Sequence, residues 1–313
     1  MNLNRKNNMK RIIQPIAIEI LKQELNKDRF IRTTRKGGNE IYVVNIHNSP
    51  NVLQEIGRLR EVTFRASGGG TGLEVDLDHY DTDEVCYEQL IVWSPENEEI
   101  VGGYRYIKCA NALLPNGEIA LSTNHYFDFT DRFLTDYLPE TIELGRSWVQ
   151  PEFQPSVNMR KGLYSLDNIW DGLGGLAVKN PDIKYFFGKV TMYPNYDRES
   201  RDFLLHFMHH YFPDTEKLMK PYNALVQDYN HAELDGLLKE LDFKEGFKVL
   251  NAYVRQRGEN IPPLVNIYMN LSPTMKTFGT AVNPEFGYVE ETGILVTISD
   301  IYLDKKERHI EGW

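Results

Sequence analysis

The chain has 313 residues, a hydrophobic fraction of 41%, a charged fraction of 26% and a net charge of -10. This suits one large domain or two small ones with the balance of a water-soluble globule. The acidity excludes a general nucleic-acid binder, whose phosphate contacts need a basic surface. Cys86 and Cys109 are the only cysteines and form no CxxC pair. A disulfide framework and a structural zinc site are therefore not expected, and a reducing cytoplasm is the natural compartment.

The first residues are basic and lead into a short apolar run broken by Gln14, Pro15 and Glu19. Such a run makes a poor signal peptide and is too short to span a bilayer, which leaves a cytoplasmic protein, soluble or peripheral at the inner membrane. Residues 1–36 hold ten Lys and Arg against three acids. One reading is a solvated helix and tail; the other is a patch for an anionic lipid surface or an acidic partner.

In chain order, residues 12–25 carry apolar groups at Ile16, Ile20 and Leu21, the pattern of a short amphipathic helix. Residues 41–46 are β-rich and predict a first strand. Ser49 and Pro50 then open a helix through Leu53, Ile56, Leu59 and Phe64, with Ser49 as cap and Pro50 at its first position. Residues 66–87 begin SGGGTG, which follows a helix and lacks the Lys-Ser/Thr of a nucleotide loop. The acids that follow lack the glycine and terminal Glu of an EF-hand, so no metal is expected.

Residues 86–94 and 99–109 predict two strands joined as a hairpin. Glycines 102 and 103 inside the second mark a bulge or a close backbone approach. After an aromatic connection over 110–138 comes TIELGRSWVQPEF, residues 141–153, a buried strand ended by Pro151. It carries Glu143 and Arg146 inside, a cost tolerated only when charges are paired or used. Either they satisfy each other or its neighbours, or this is where the chemistry lies.

Further on, residues 158–178 predict a helix, 184–193 a strand, and 200–212 and 232–241 helices. Residues 247–256, 263–271 and 286–302 are expected as the last strands. His206, His209 and His210 lie on an aromatic helix without an HExxH glutamate and read as structural. The order predicts a mixed α/β (α+β) fold with a mostly antiparallel central sheet flanked by helices.

Four pieces line up: Arg60-x-x-x-Phe64 on a helix, Asp78-x-Tyr80-Asp81 in the acidic loop, Gly102-Gly103-Tyr104-Arg105 on a strand, and Glu143-Leu144-Gly145-Arg146-Ser147 on the central strand. Over roughly residues 40–305 this resembles the GNAT acyltransferase superfamily in its acyl-homoserine lactone synthase-like branch. It is most similar there to the ornithine-lipid and glycine-lipid N-acyltransferases, often labelled hemolysin-like. ELGRSWVQP matches their ELGRS-x-V-x-P. SGGGTG stands where lactone synthases have a tryptophan, which argues against lactone synthesis.

Charge and periodicity give a basic helical extension over residues 1–36, and the resemblance implies a GNAT-like domain over 37–313 with a helical segment at 199–245. It implies transfer of a fatty or 3-hydroxy-fatty acyl chain to the α-amine of an amino acid, giving a lyso-aminolipid. Such a reaction needs a carboxylate to take the ammonium proton, an N–H donor for the thioester oxygen, and a groove between splayed strands for the acyl arm. Glu143 is then the candidate base or ammonium anchor, with a backbone donor after Gly145 at a bulge. Arg105 and Arg146 orient Glu143 or bind the acceptor carboxylate. Asp78 and Asp81 bind the amine or lock Arg60 and Arg105. Phe64, Gly103, Gly145 and Ser147 complete the substrate-binding set.

Acetyl-CoA users carry Q/R-x-x-G-x-G/A after the central strand to hold the pyrophosphate. QPEFQPSVNMRKG lacks it, so the expected donor is phosphopantetheine on acyl carrier protein, docking on Arg160 and Lys161. Neither cysteine has an activating partner nearby, so direct attack without an acyl-enzyme is expected and no covalently bound cofactor is implied. Acyl-CoA with a soluble amine, and a non-catalytic membrane-surface protein of the same fold, remain as alternatives.

Overall fold

The computed structural model describes residues 9–311. The N-terminal stretch enters as α1 (Ile18–Glu24) and then β1 (Phe30–Thr33) and β2 (Glu40–Val44), an antiparallel pair. A division at residue 36 falls inside this hairpin, so the basic stretch continues into the sheet rather than standing apart from it. Arg5 and Lys6 lie outside the described residues.

The next helix is α2 (Pro50–Ala66), with Pro50 in its first turn as expected. Ser49 holds the cap position, but its hydroxyl is buried without a partner. The orphan amides of Asn51 and Val52 are taken instead by the Glu24 carboxylate at 3.2 and 2.8 Å, so α1 caps α2 from outside. A single turn, α3 (His79–Thr82), precedes the hairpin β3 (Glu88–Ser94) and β4 (Glu99–Lys108). Then follow β5 (Phe127–Phe129), β6 (Thr141–Val149), α4 (Met159–Gly162), α5 (Ser165–Lys179), β7 (Tyr185–Met192) and α6 (Arg198–Tyr211).

The remainder departs from expectation. After β8 (Met219–Pro221) and α7 (His231–Leu238), residues expected as strands form α8 (Phe243–Gln256) and α9 (Pro263–Met269). The Asp242–Glu245 capping box and Pro263 in the first turn start these helices. The last strands are β9 (Lys276–Asn283) and β10 (Val289–Thr297), followed by α10 (Leu303–His309).

Eight strands form one sheet in the order β1-β2-β3-β4-β6-β7-β10-β9, and β5 pairs with β8 apart from it. Every contact in the large sheet is antiparallel except β6 with β7. Alternation along the strands feeds two cores. Leu90, Val92, Ile142 and Val149 face α5 and α6. Ile91, Trp93 and Trp148 face α2.

Two irregularities shape the middle. The parallel pairing of β6 with β7 runs from Thr141↔Tyr185 to Leu144↔Gly188 and stops, although both strands continue. Gly188 closes this last pair; a Cβ there would lie 2.5 Å from the Leu144 carbonyl oxygen. Between β4 and β6 the register shifts: Arg105 faces Gly145 but Gly103 faces Trp148. One extra residue is thus inserted in β6, and Arg146 there has φ 49°.

Candidate active site

Where β6 and β7 part, a cavity of about 560 Å³ passes through the sheet. Its polar end is lined by Arg105, Ser122, Gly145, Arg146, Lys189 and Glu291. Its apolar end runs under α5 and α9, with Val149, Ile169, Trp170, Leu173, Val265 and Tyr268 on its walls. No residue of 199–245 lines it; α6 and α7 pack into the core beside it. Of the expected substrate-binding residues, Phe64, Gly145 and Ser147 line the cavity. Gly103 does not: it is needed because a Cβ would lie 2.3 Å from the Leu90 carbonyl oxygen.

Beside the cavity three arginines and three aspartates interlock. Arg60, fully buried, reaches Asp76 at 2.9 Å and Asp81 at 3.2 Å. Arg105 binds Asp78 at 2.7 Å and Asp81 at 3.0 Å. Arg146 binds Asp76 at 3.0 Å, with Asp78 at 3.8 Å, and stacks over Phe286. Asp76, unassigned by the sequence reading, is therefore the partner Arg60 shares with Arg146. Of the alternatives left open for Glu143 and Arg146, mutual pairing does not form, because the inserted residue turns Arg146 toward this network.

Burial opposes ionisation of Asp76, but Arg146 and Arg60 outweigh it and hold its carboxyl below the usual range. Burial likewise opposes ionisation of Asp81, and Arg60 and Arg105 outweigh it. Depressed folded-state values mean that this stabilisation is complete above the unfolded carboxylate value, about 3.9, and drains away as pH falls toward the folded values. The melting temperature is therefore expected to hold steady near neutrality and to drop below about pH 4. Thermal melts across pH check this; a flat profile into strong acid would count against the network's contribution.

Glu143 is fully buried and takes three hydroxyl donors. Tyr87 donates to Oε1 at 2.7 Å, Ser122 to Oε1 at 2.6 Å and Thr123 to Oε2 at 2.5 Å. Burial first, then the Glu143 charge, raises the Tyr87 phenol well above its ordinary value, so it stays a donor. Arg105 does not touch this carboxylate; it lies 4.9 Å over the Tyr87 ring. Glu143 itself does not line the cavity, but Ser122 does. The sequence reading missed Tyr87, Ser122 and Thr123, since hydroxyls in loops and strand ends carry no spacing signal.

Lys189 and Glu291 were also missed. They pair at 2.7 Å on neighbouring strands β7 and β10. The signal was a lone lysine on the Phe187–Thr191 face of a buried strand. Burial pushes the Lys189 ammonium pKa down against the pull of Glu291.

At the rim stand Pro155, Ser156 and Pro263. Nearby, Val157, Met159 and Leu163 are exposed, and so is Arg160. Lys161 pairs with Glu99 at 2.9 Å and covers the Phe153 ring.

A mixed sheet whose one parallel pair splays around a cavity, with an inserted residue on the strand carrying the buried glutamate, is the framework of a GNAT acyltransferase. Residues 59–161 match the acetyltransferase (GNAT) domain family. The chain is 54% identical over 304 residues to a glycine N(alpha)-acyltransferase of Bacteroides thetaiotaomicron, covering 97% of this chain and 90% of that protein. It is 53% identical over 306 residues to a glycine N(alpha)-acyltransferase of Phocaeicola vulgatus, covering 97% and 94%. The chain belongs to the GNAT N-acyltransferase family of these two proteins and is an acyltransferase. No solved structure matches it. No helix among the described residues is long and apolar enough to cross a membrane.

Proposed function

We propose that the protein transfers a fatty or 3-hydroxy-fatty acyl chain from the phosphopantetheine of acyl carrier protein to the α-amine of glycine, giving an N-acylglycine lyso-lipid. The observation that carries this is the cavity of about 560 Å³ running from the parted strands into an apolar core. Volumes of about 300–1,000 Å³ enclose whole ligands, and an acetyl group would leave most of this one empty. Glycine is chosen as acceptor from the names of the two relatives.

The thioester carbonyl sits where β6 leaves its ladder at residues 146–147, so that a backbone N–H there donates to the oxygen as it gains charge. The acceptor ammonium gives one proton to the Ser122 hydroxyl while Ser122 passes its own to Glu143. The amine then attacks the carbonyl carbon, the C–N bond forms, the C–S bond breaks, and the second amine proton leaves with the thiol. The carrier is favoured because β6 runs on into a tight turn at Pro151–Phe153 and the short α4, with no glycine-rich pyrophosphate loop. Carrier contact belongs at the rim, where Arg160 stands among exposed apolar residues. Several N-terminal basic groups are engaged elsewhere: Lys22 with Glu98, Arg29 with the Asn48 carbonyl and Arg35 with the Glu307 carbonyl. That leaves contact with an anionic membrane surface a secondary reading.

The test supplies purified protein with glycine and either acyl carrier protein or CoA carrying the same acyl chain, and detects N-acylglycine by mass spectrometry. Product mainly from the carrier is expected. Preference for CoA would overturn the donor, and no product from either would overturn the function. Ser122→Ala is expected to lower kcat about 10- to 100-fold with little change in either KM. An unaltered kcat would remove Ser122 from the proton path.

A further inference from the structure

An amino-acid acceptor carries its carboxylate next to the amine to be acylated. Enclosing that carboxylate in a water-poor chamber requires a cation with unused donors. Among the described residues, three cations line the cavity: Arg105, Arg146 and Lys189. Arg105 Nη1 is bound to Asp78 and Asp81, and Arg146 Nε to Asp76 with Asp78 3.8 Å from its Nη2, so both side chains are anchored in the aspartate network although each keeps further N–H donors. Lys189 has one carboxylate partner, Glu291, and lies 4.5 Å over the Tyr126 ring. An ammonium has three donors, so these contacts leave capacity facing the cavity.

The position fits as well. Lys189 follows Gly188, the last β7 residue paired with β6. It therefore stands at the point where the strands part, on the same face of β7 as Phe187, the register partner of Glu143. Glu291 is fixed by Asn283 at 3.1 Å and Thr191 at 3.3 Å in addition to Lys189. A second observation points to a ligand here: Arg105 Nε is buried without a partner. It faces Gly145, where a Cβ would approach it to 3.5 Å.

We infer that Lys189 binds the carboxylate of the acceptor amino acid, with Arg105 Nε as a second donor and Glu291 as the residue that positions Lys189. This rests on the acyl-transfer reading above and extends it to acceptor selection. An acceptor that lacks the carboxylate leaves the lysine's free donors and the arginine's Nε unanswered in a buried site. Discrimination against such an acceptor follows from that loss.

The test compares glycine with glycinamide as acceptors under one acyl donor. Wild type is expected to favour glycine by about 100-fold or more in kcat/KM. Lys189→Met is expected to raise the KM for glycine at least about 10-fold, leave the KM for the acyl donor unchanged, and bring the two acceptors close together. Because Lys189→Met strands the buried Glu291 charge and can compromise folding, the Lys189→Met/Glu291→Gln double variant removes both charges and carries the same expectation. Equal use of both acceptors by wild type overturns the inference, as does full glycine preference in the double variant. Wild-type protein that acylates neither amine overturns the acyl-transfer reading itself, an outcome distinct from both.

Discussion

Glu143→Gln is expected to cut kcat by about 10²- to 10⁴-fold, the range that a positioned proton acceptor contributes, while the protein still folds. The side chain is enclosed and accepts from Tyr87, Ser122 and Thr123. Glutamine has the same shape and keeps one carbonyl oxygen, so the hydroxyls can turn to satisfy most of the cluster. What it loses is the capacity to end with the proton. The acyl-donor KM is expected to stay near wild type, since Glu143 does not line the cavity. Thiol release and N-acylglycine formation are the readouts, with a melting curve as the folding control. A folded variant with wild-type kcat would exclude Glu143 as the proton sink.

Arg60→Met is expected to destabilise the protein by roughly 3–5 kcal/mol, the cost of removing one partner from a buried ion pair. Arg60 is fully buried and spans Asp76 and Asp81. Without it Asp76 keeps Arg146 and Asp81 keeps Arg105, but the three carboxylates of Asp76, Asp78 and Asp81 then share only two guanidinium groups. Adding Asp81→Asn to Arg60→Met is expected to recover part of the loss, because the stranded charge goes with it. Denaturant melts of the two single variants and the double variant measure both effects. A loss within about 0.5 kcal/mol for Arg60→Met would place it among ordinary surface substitutions and refute a structural role for the network.

Much of the site's frame was legible because charges in an apolar strand are conspicuous. Glu143 and Arg146 in the strand around ELGRS declare themselves by their cost, whereas Arg60, Asp78, Asp81 and Arg105 upstream were picked out by the family resemblance of their motifs. The structure joins all of them except Glu143 into one network. Glu143 belongs instead to a cluster of hydroxyls, and hydroxyl groups are common enough in loops that no pattern marks them. The helices at Phe243–Gln256 and Pro263–Met269 were misread because short runs rich in valine and tyrosine fit a strand as well as a buried helix. The capping box and the proline were the better guides. β9 went unseen because KTFGTAVN mixes glycine and threonine with few large apolar groups.

The inserted residue in β6 has a consequence that reaches past the reaction. Strand residues alternate between faces with a period of two, so one additional residue exchanges odd and even for everything after it. Glu143 lies on the α2 side of the sheet, and five positions later Trp148 lies there too, while Val149 joins the opposite core. Removing the insertion would send the indole of Trp148 into the core beneath α5 and Val149 into the space the indole fills. The irregular backbone at Arg146 is thereby held by parity. Two hydrophobic cores, one on each side of the sheet, are both built to a count that includes it, and neither can accept a straight strand without being rebuilt.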